Sequence, residues 1–191
     1  MSVEITTEAI VLDKEDLGES DSRFFLYTKD FGKITAKATS VRKITSRLAG
    51  HLEPLNYASV RLVSRSDFAD IRNFQLTDAL LIDNARELKS DPANLRQAIG
   101  AINLIRKSIP NGAPDENLWQ AFQNIRSQKT TYSIQEILKI LGMDLEFAGC
   151  ELCQKSNPEY FYPKENFFVC RTCNLSSKET KENFICVLIQ K

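Results

Sequence analysis

Lys33-Ile34-Thr35-Ala36-Lys37-Ala38-Thr39 is the stretch from which the N-terminal architecture can be read. Its apolar and polar residues alternate, and successive side chains of a strand point to opposite faces. Ile34, Ala36 and Ala38 therefore suit a core, while Lys33, Thr35, Lys37 and Thr39 form a face that offers two ammonium groups to solvent. Similar segments surround it. Residues 3–12 alternate loosely, Leu17-Gly18-Glu19-Ser20-Asp21 reads as a polar turn, and residues 23–28 carry Phe24, Phe25, Leu26 and Tyr27. Beyond a basic loop at 40–47, residues 57–63 place Ala58, Val60 and Leu62 inward, and residues 71–76 supply a fifth segment. Five short strands at this spacing predict a small closed barrel of the OB type, which removes exposed sheet edges by closing on itself.

After Thr77 the period changes to that of a helix, and the boundary between an N-terminal domain (1–77) and a helical domain (78–191) is set there. Asp91-Pro92 is an N-cap followed by proline at the first helical position. Leu95, Ile99, Ile102, Ile105 and Ile109 then make an apolar stripe that Pro110-Asn111-Gly112 ends. Leu118, Trp119, Phe122 and Ile125 mark another helix, with Trp119 read as core. Ser133 and Glu136 form a capping box ahead of Ile137, Leu138 and Leu141, and Gly142 is the stop. The predicted class is α+β, a barrel followed by helices.

Four of the five cysteines form two C-x-x-C pairs, Cys150 with Cys153 and Cys170 with Cys173, sixteen residues apart. Such a spacing lets two knuckles complete a tetrahedron of thiolates around zinc. Disulfides and a thioredoxin-like redox pair are the competing readings; a reducing compartment disfavours the first, and the second needs one C-x-x-C opening a helix. Four sulfur ligands leave no open position, so the expected ion is structural, one per chain, in a module at about residues 147–176 whose Phe161, Tyr162, Phe167, Phe168 and Val169 suit the strands of a zinc ribbon. Cys186, inside an apolar run, reads as a small buried hydrophobe.

Composition narrows the function classes. No apolar run is long enough to span a membrane, and the first twelve residues carry Glu4 and Glu8 instead of a signal peptide's basic start, so a cytoplasmic location is expected. The single histidine, His51, leaves little room for serine–histidine or multi-histidine chemistry and reads as structural. Phosphate-loop, dinucleotide-binding and zinc-protease signatures are absent from the sequence. An enzyme working through the carboxylates near Glu19 and Asp21 is therefore the least favoured reading. Basic and acidic residues balance at 25 each, yet residues 29–65 hold eight basic side chains against two acidic ones. That segment is either a solvated face or an electrostatic footprint for nucleic acid.

Taken in order, Leu17-Gly18-Glu19-Ser20-Asp21, Tyr27-Thr28, Phe31-Gly32-Lys33, Val41-Arg42-Lys43, Ser46-Arg47-Leu48-Ala49-Gly50 and Leu52-Glu53-Pro54-Leu55 resemble the N-terminal domain of the bacterial RecO DNA repair family. The resemblance extends through the helices to the cysteine pairs. It implies a recombination mediator, not an enzyme, with an N-terminal OB-fold, a helical domain and a zinc module. It also implies binding of single- and double-stranded DNA, annealing of complementary strands without ATP, and work with RecR, and often RecF, to load RecA onto strands covered by single-strand binding protein, in a cytoplasmic, nucleoid-associated setting. The residues assigned to DNA on this reading are Lys33, Lys37, Arg42, Lys43, Arg47, Arg61 and Arg65, whose charges could track phosphates without reading bases. Phe24 or Phe25, Tyr27 and Tyr57 are candidate stacking faces. The sequence departs from the family's usual Lys-Gly pair with Thr39-Ser40 and from a common proline with Ile44, which bears on one phosphate contact and on loop rigidity. Family members usually continue into further helical structure, whereas this sequence ends eighteen residues past Cys173. The alternative function is a zinc-stabilised protein-interaction adapter without a DNA role of its own.

Overall fold

A computed structural model describes residues 2–43, 46, 48–64, 74–127, 134–176 and 184–187. Strands β1 (Val3–Leu17), β2 (Asp21–Thr28), β3 (Gly32–Ala38), β4 (Tyr57–Ser64) and β5 (Phe74–Asp83) close into a barrel in the order β1-β2-β3-β5-β4. All neighbours are antiparallel except β3 and β5, which run parallel and meet at Ala36–Phe74 and Lys37–Gln75. This is the OB arrangement expected from the alternation. Ala9, Val11, Phe24, Leu26, Ile34, Ala36, Ala38, Ala58, Val60 and Leu62 fill its interior. β5 runs to Asp83, six residues past Thr77, with irregular register opposite Arg61 and Leu62. The polar Thr77-Asp78 pair therefore lies inside a strand instead of ending it.

Helices α1 (Arg86–Ser90), α2 (Pro92–Ser108), α3 (Glu116–Ser127) and α4 (Ile134–Ile140) follow. Asp91 caps α2, its carboxylate accepting from the N–H groups of Ala93 and Asn94. At the end of α4 the N–H of Gly142 bonds Lys139 O and that of Met143 bonds Leu138 O, with Gly142 at φ +77. That pair of bonds needs a left-handed residue, which glycine supplies without steric cost. α2 buries Ala98, Ala101, Ile102, Leu104 and Ile105, whereas Ile99 is nearly half exposed. The buried stripe thus includes alanines that let neighbours approach closely, and Ile99 falls outside it. Ser133, the proposed cap of α4, lies outside the described residues, as do residues 71–73 of the fifth predicted segment.

The helices do not stand apart from the barrel. Ile10, Leu12 and Tyr27 point away from the barrel interior and join Ile102, Ile105, Trp119, Phe122, Ile137 and Leu138 in a second core. Alternation on β1 and β2 thus feeds two cores, one on each face, which is why residues 9–12 and 24–27 read as nearly continuous apolar runs. The loop between α2 and α3 adds to the β3 edge, where Gly112 N–H donates to Lys33 O at 2.8 Å. Gly32 makes that approach possible: it sits at φ +64, and a Cβ there would lie 2.4 Å from Gly112 O.

Strands β6 (Tyr160–Tyr162), β7 (Phe167–Val169) and β8 (Ile185–Cys186) form a small sheet in the order β7-β6-β8, and α5 (Arg171–Ser176) follows β7. Phe161, Phe168, Ile185 and Val187 fasten this module to the helical core. Cys186, opposite Tyr160, is half-buried, less enclosed than the sequence suggested. Among the described residues no helix is long and apolar enough to cross a membrane.

Candidate nucleic-acid interface and metal centre

Helical packing divides the outward face of the barrel into a covered part and an open part. Lys33 lies in the covered part. It is 9% exposed, and its ammonium donates at 2.8 Å to the carbonyl of Arg106 in the last turn of α2, a favourable place for a cation because helix C-terminal carbonyls lack partners. Burial, and then the nearby Arg106 charge, hold its pKa below the usual lysine value. The assignment of Lys33 to a solvent-facing DNA contact is therefore corrected: alternation gave the face, and the helices cover that face.

The candidate stacking aromatics meet the same fate. Phe24 lies in the barrel interior, and Tyr27 is fully buried, its hydroxyl donating to Asp115 O and accepting the Asp115 N–H. Phe25 lies beneath the Arg106 guanidinium, 4.6 Å from its ring centre, and Tyr57 beneath that of Arg126, at 4.8 Å, with Trp119 edge-on beside it. These rings serve the joint between barrel and helices and are not open platforms for bases.

Arg126 is an anchor that the sequence reading missed. Nearly fully buried, it pairs with Asp83 at 2.6 Å and donates to Leu55 O and Asp83 O, tying α3 to two barrel segments. Its signal was available: Arg126 stands four residues after Phe122 and seven after Trp119, on the apolar stripe of α3. Arg106 does the same work for α2, pairing with Asp13 at 3.0 Å and Glu15 at 3.1 Å on β1.

The remaining basic candidates lie on the open part or outside the described residues. Arg47 and Arg65 belong to the latter group. Lys37, Arg42, Lys43 and Arg61 are exposed, and three of them have acidic partners. Lys37 meets Asp21 at 2.9 Å, Arg61 meets Glu4 at 3.4 Å, and Arg42 pairs with Asp16 while donating to the carbonyls of Gly18 and Glu19. Asp21 also accepts the Ser40 N–H at 2.9 Å. That bond, with Lys37 beside it, holds the Asp21 carboxyl below its ordinary range. His51 bonds Ala79 O at 2.6 Å and is structural.

The four cysteines converge as the spacing required. Their sulfurs lie within 4.8 Å of one another, with Cys153 and Cys170 at 3.7 Å, close to the roughly 3.8 Å edge of a tetrahedron with Zn–S bonds of about 2.3 Å. Cys150 and Cys170 are buried, and Cys153 lies open. Burial pushes the Cys150 thiol up, but backbone N–H groups of Cys170, Cys153 and Leu152 outweigh it and bring it down to about 6. The N–H of Cys173 lowers Cys170, whereas hydrogen bonding among the sulfurs pushes Cys173 up to about 12. Backbone N–H groups thus favour the ionised form at Cys150 and Cys170, while the neighbouring sulfurs disfavour it at Cys173, a donor set that a bound cation would complete. The residues present can hold one metal ion, with no place left for a substrate.

A closed OB barrel packed against helices, with a four-cysteine centre beyond them, does not by itself fix a function, and the family of this chain follows from its similarity to known chains. A family model described as "Recombination protein O N terminal" matches residues 1–80. The DNA repair protein RecO of Thermodesulfovibrio yellowstonii is 27% identical over 183 residues, covering 90% of this chain and 70% of that protein. Its counterpart in Dehalococcoides mccartyi is 30% identical over 180 residues, covering 87% and 69%. That of Bacillus pumilus is 26% identical over 179 residues, covering 88% and 68%. The chain belongs to the RecO family of DNA repair proteins.

Proposed function

We propose that this chain is a recombination mediator that binds single- and double-stranded DNA along the open part of the barrel and anneals complementary strands. With RecR, and in concert with RecF, it would help load RecA onto strands covered by single-strand binding protein, at the nucleoid. The observation that carries this reading is the clustering of Lys37, Arg42 and Lys43 at the one end of β3 that the helices leave uncovered. Cations on that surface can neutralise phosphates without reading bases, which suits a protein that must act on any sequence. Annealing needs no covalent step: two strands repel through their phosphates, and a protein that holds both lowers the barrier. In the cysteine centre zinc would serve structure, joining the two knuckles. Annealing of two complementary oligonucleotides without nucleotide, over a salt series, tests the reading. Acceleration that fades as salt rises is expected, and no acceleration at any salt would overturn it.

A second reading, a zinc-stabilised adapter, is favoured by Phe147 at 86% exposure, Leu152 at 63% and Leu175 at 62%, all in or beside the cysteine module. Exposed apolar side chains mark a contact surface where they form a contiguous patch. Weak DNA affinity even at low salt would favour it.

A further inference from the structure

The turn between β1 and β2, Leu17 to Asp21, occupies a position at which OB barrels commonly meet nucleic acid. Here the turn and its flanks carry Asp13, Glu15, Asp16, Glu19 and Asp21, which would repel a phosphate backbone. These acids do not simply face solvent. Asp21 takes Lys37 with one carboxylate oxygen at 2.9 Å and the Ser40 N–H with the other at 2.9 Å. The N–H of Arg42 donates to Ser20 O at 3.0 Å, and its guanidinium grips Asp16, Gly18 O and Glu19 O. The start of the basic loop is therefore folded onto an acidic turn, with one carboxylate against Lys37 and another against Arg42.

We propose that the β1–β2 turn acts through Asp16 and Asp21 as a built-in phosphate mimic, which holds Arg42 and Lys37 in the DNA-free protein and is displaced by DNA phosphates. The inference rests on the reading that these two cations contact DNA. It has a thermodynamic consequence. A free cation that neutralises a phosphate releases a counterion from single-stranded DNA and adds about −0.7 to the salt slope. A cation already paired with a carboxylate frees an acid as it binds, and that acid recruits a cation in turn, so the net release is close to zero. Exposed pairs are individually weak, so each carboxylate restrains binding by about two- to fivefold and the exchange stays reversible. DNA affinity is thereby kept modest, which suits a protein that must leave the strands it has annealed.

Anisotropy of a fluorescent oligo-dT strand over a salt series tests this with the full chain and its Asp16→Asn/Asp21→Asn variant. Asn at 21 keeps an oxygen for the Ser40 N–H, so Asp21→Asn alone carries the test if Asp16→Asn unfolds the turn. The double variant is expected to bind about five- to twentyfold more tightly at low salt, with a slope steeper by about 1.4. In a Lys37→Ala background Asp21→Asn is expected to give no gain, because the carboxylate acts through that lysine. Equal affinity and slope in wild type and variant, or the same gain from Asp21→Asn with and without Lys37, overturns the mimic and leaves DNA binding standing. Failure of wild type and variant alike to bind removes both.

Discussion

The ammonium of Lys33 donates to the carbonyl of Arg106 at 2.8 Å, so a strand cation that alternation aims outward closes the end of a helix instead. Burial lowers its pKa, while in the unfolded chain the amine titrates near 10.5. Below the lowered folded value both states are charged and the folded state bears the whole desolvation penalty. As pH rises through the lowered folded value the penalty is relieved, because the unfolded chain then binds more protons. The stability that Lys33 contributes therefore increases with pH until 10.5 is passed. Lys33→Met removes both the penalty and the hydrogen bond, so stability near neutrality is expected to change by less than about 1 kcal/mol. Urea unfolding of both proteins as pH approaches 10.5 should show the wild type gaining on the variant. A difference that does not vary with pH would mean that the buried amine titrates as it does in water.

Arg126 and Asp83 make an unequal pair, since the guanidinium side is 3% exposed and the carboxylate 53%. Asp83→Ala strands a buried positive charge against carbonyls, Gln123 and the face of Tyr57, with no carboxylate left beside it, and is expected to cost about 2–3 kcal/mol. Arg126→Met removes the charge and retains much of the stem that packs over Tyr57, leaving Asp83 to water, and is expected to cost less, about 1–2 kcal/mol. Denaturant midpoints of the two variants decide the order. The reverse order would assign the anchoring to packing and not to charge.

Ser40 stands at φ +56, a left-handed conformation that L side chains adopt at a cost. It occupies the position where the family resemblance leads one to expect glycine. The bond from its N–H to Asp21 holds it there, and that bond survives a change of side chain. Ser40→Gly is expected to stabilise the protein by about 1 kcal/mol, reduced somewhat by glycine's greater freedom in the unfolded chain, while Ser40→Ala is expected to gain nothing. Thermal midpoints of the three proteins check this.

These residues also explain where the amino-acid sequence could be read and where it could not. The barrel was legible because period-two alternation is imposed locally by the pleat, and the interior residues Ile34, Ala36, Ala38, Ala58, Val60 and Leu62 follow from it directly. The cysteine centre was legible because ligand spacing is local chemistry. Alternation says which residues share a face but not what lies against it, so the burial of Lys33 and the use of Tyr27 and Tyr57 at the joint required the helices to be placed. β2 defeated assignment for a related reason, since Phe24 and Phe25 feed different cores, with Phe25 partly buried beneath Arg106. On α2 the choice of Ile99 over Ala98 and Ala101 followed side-chain hydrophobicity, whereas close helix packing selects small residues. The acidic partners of Lys37, Arg42 and Arg61 come from chain positions 16 to 57 residues away and leave no periodic trace.

The cysteine centre supplies the sharpest structural expectation, because its sulfurs are close enough to repel once ionised. Without a cation, Cys173 resists deprotonation while Cys150 favours it, so the four cannot act as thiolates together near neutral pH. Zinc would remove that conflict and join the first knuckle to the second across the β6–β7 hairpin, supporting a module whose own strands are at most three residues long. The purified protein is expected to carry one zinc ion per chain by elemental analysis. Cys170→Ser takes away a buried ligand next to β7, so it should lower metal content and unfold residues around 147–176, seen as lost amide-exchange protection there while barrel amides remain protected. Retention of that protection in a metal-free protein would show instead that the packing of Phe161 and Phe168 against the helices is enough to hold the module.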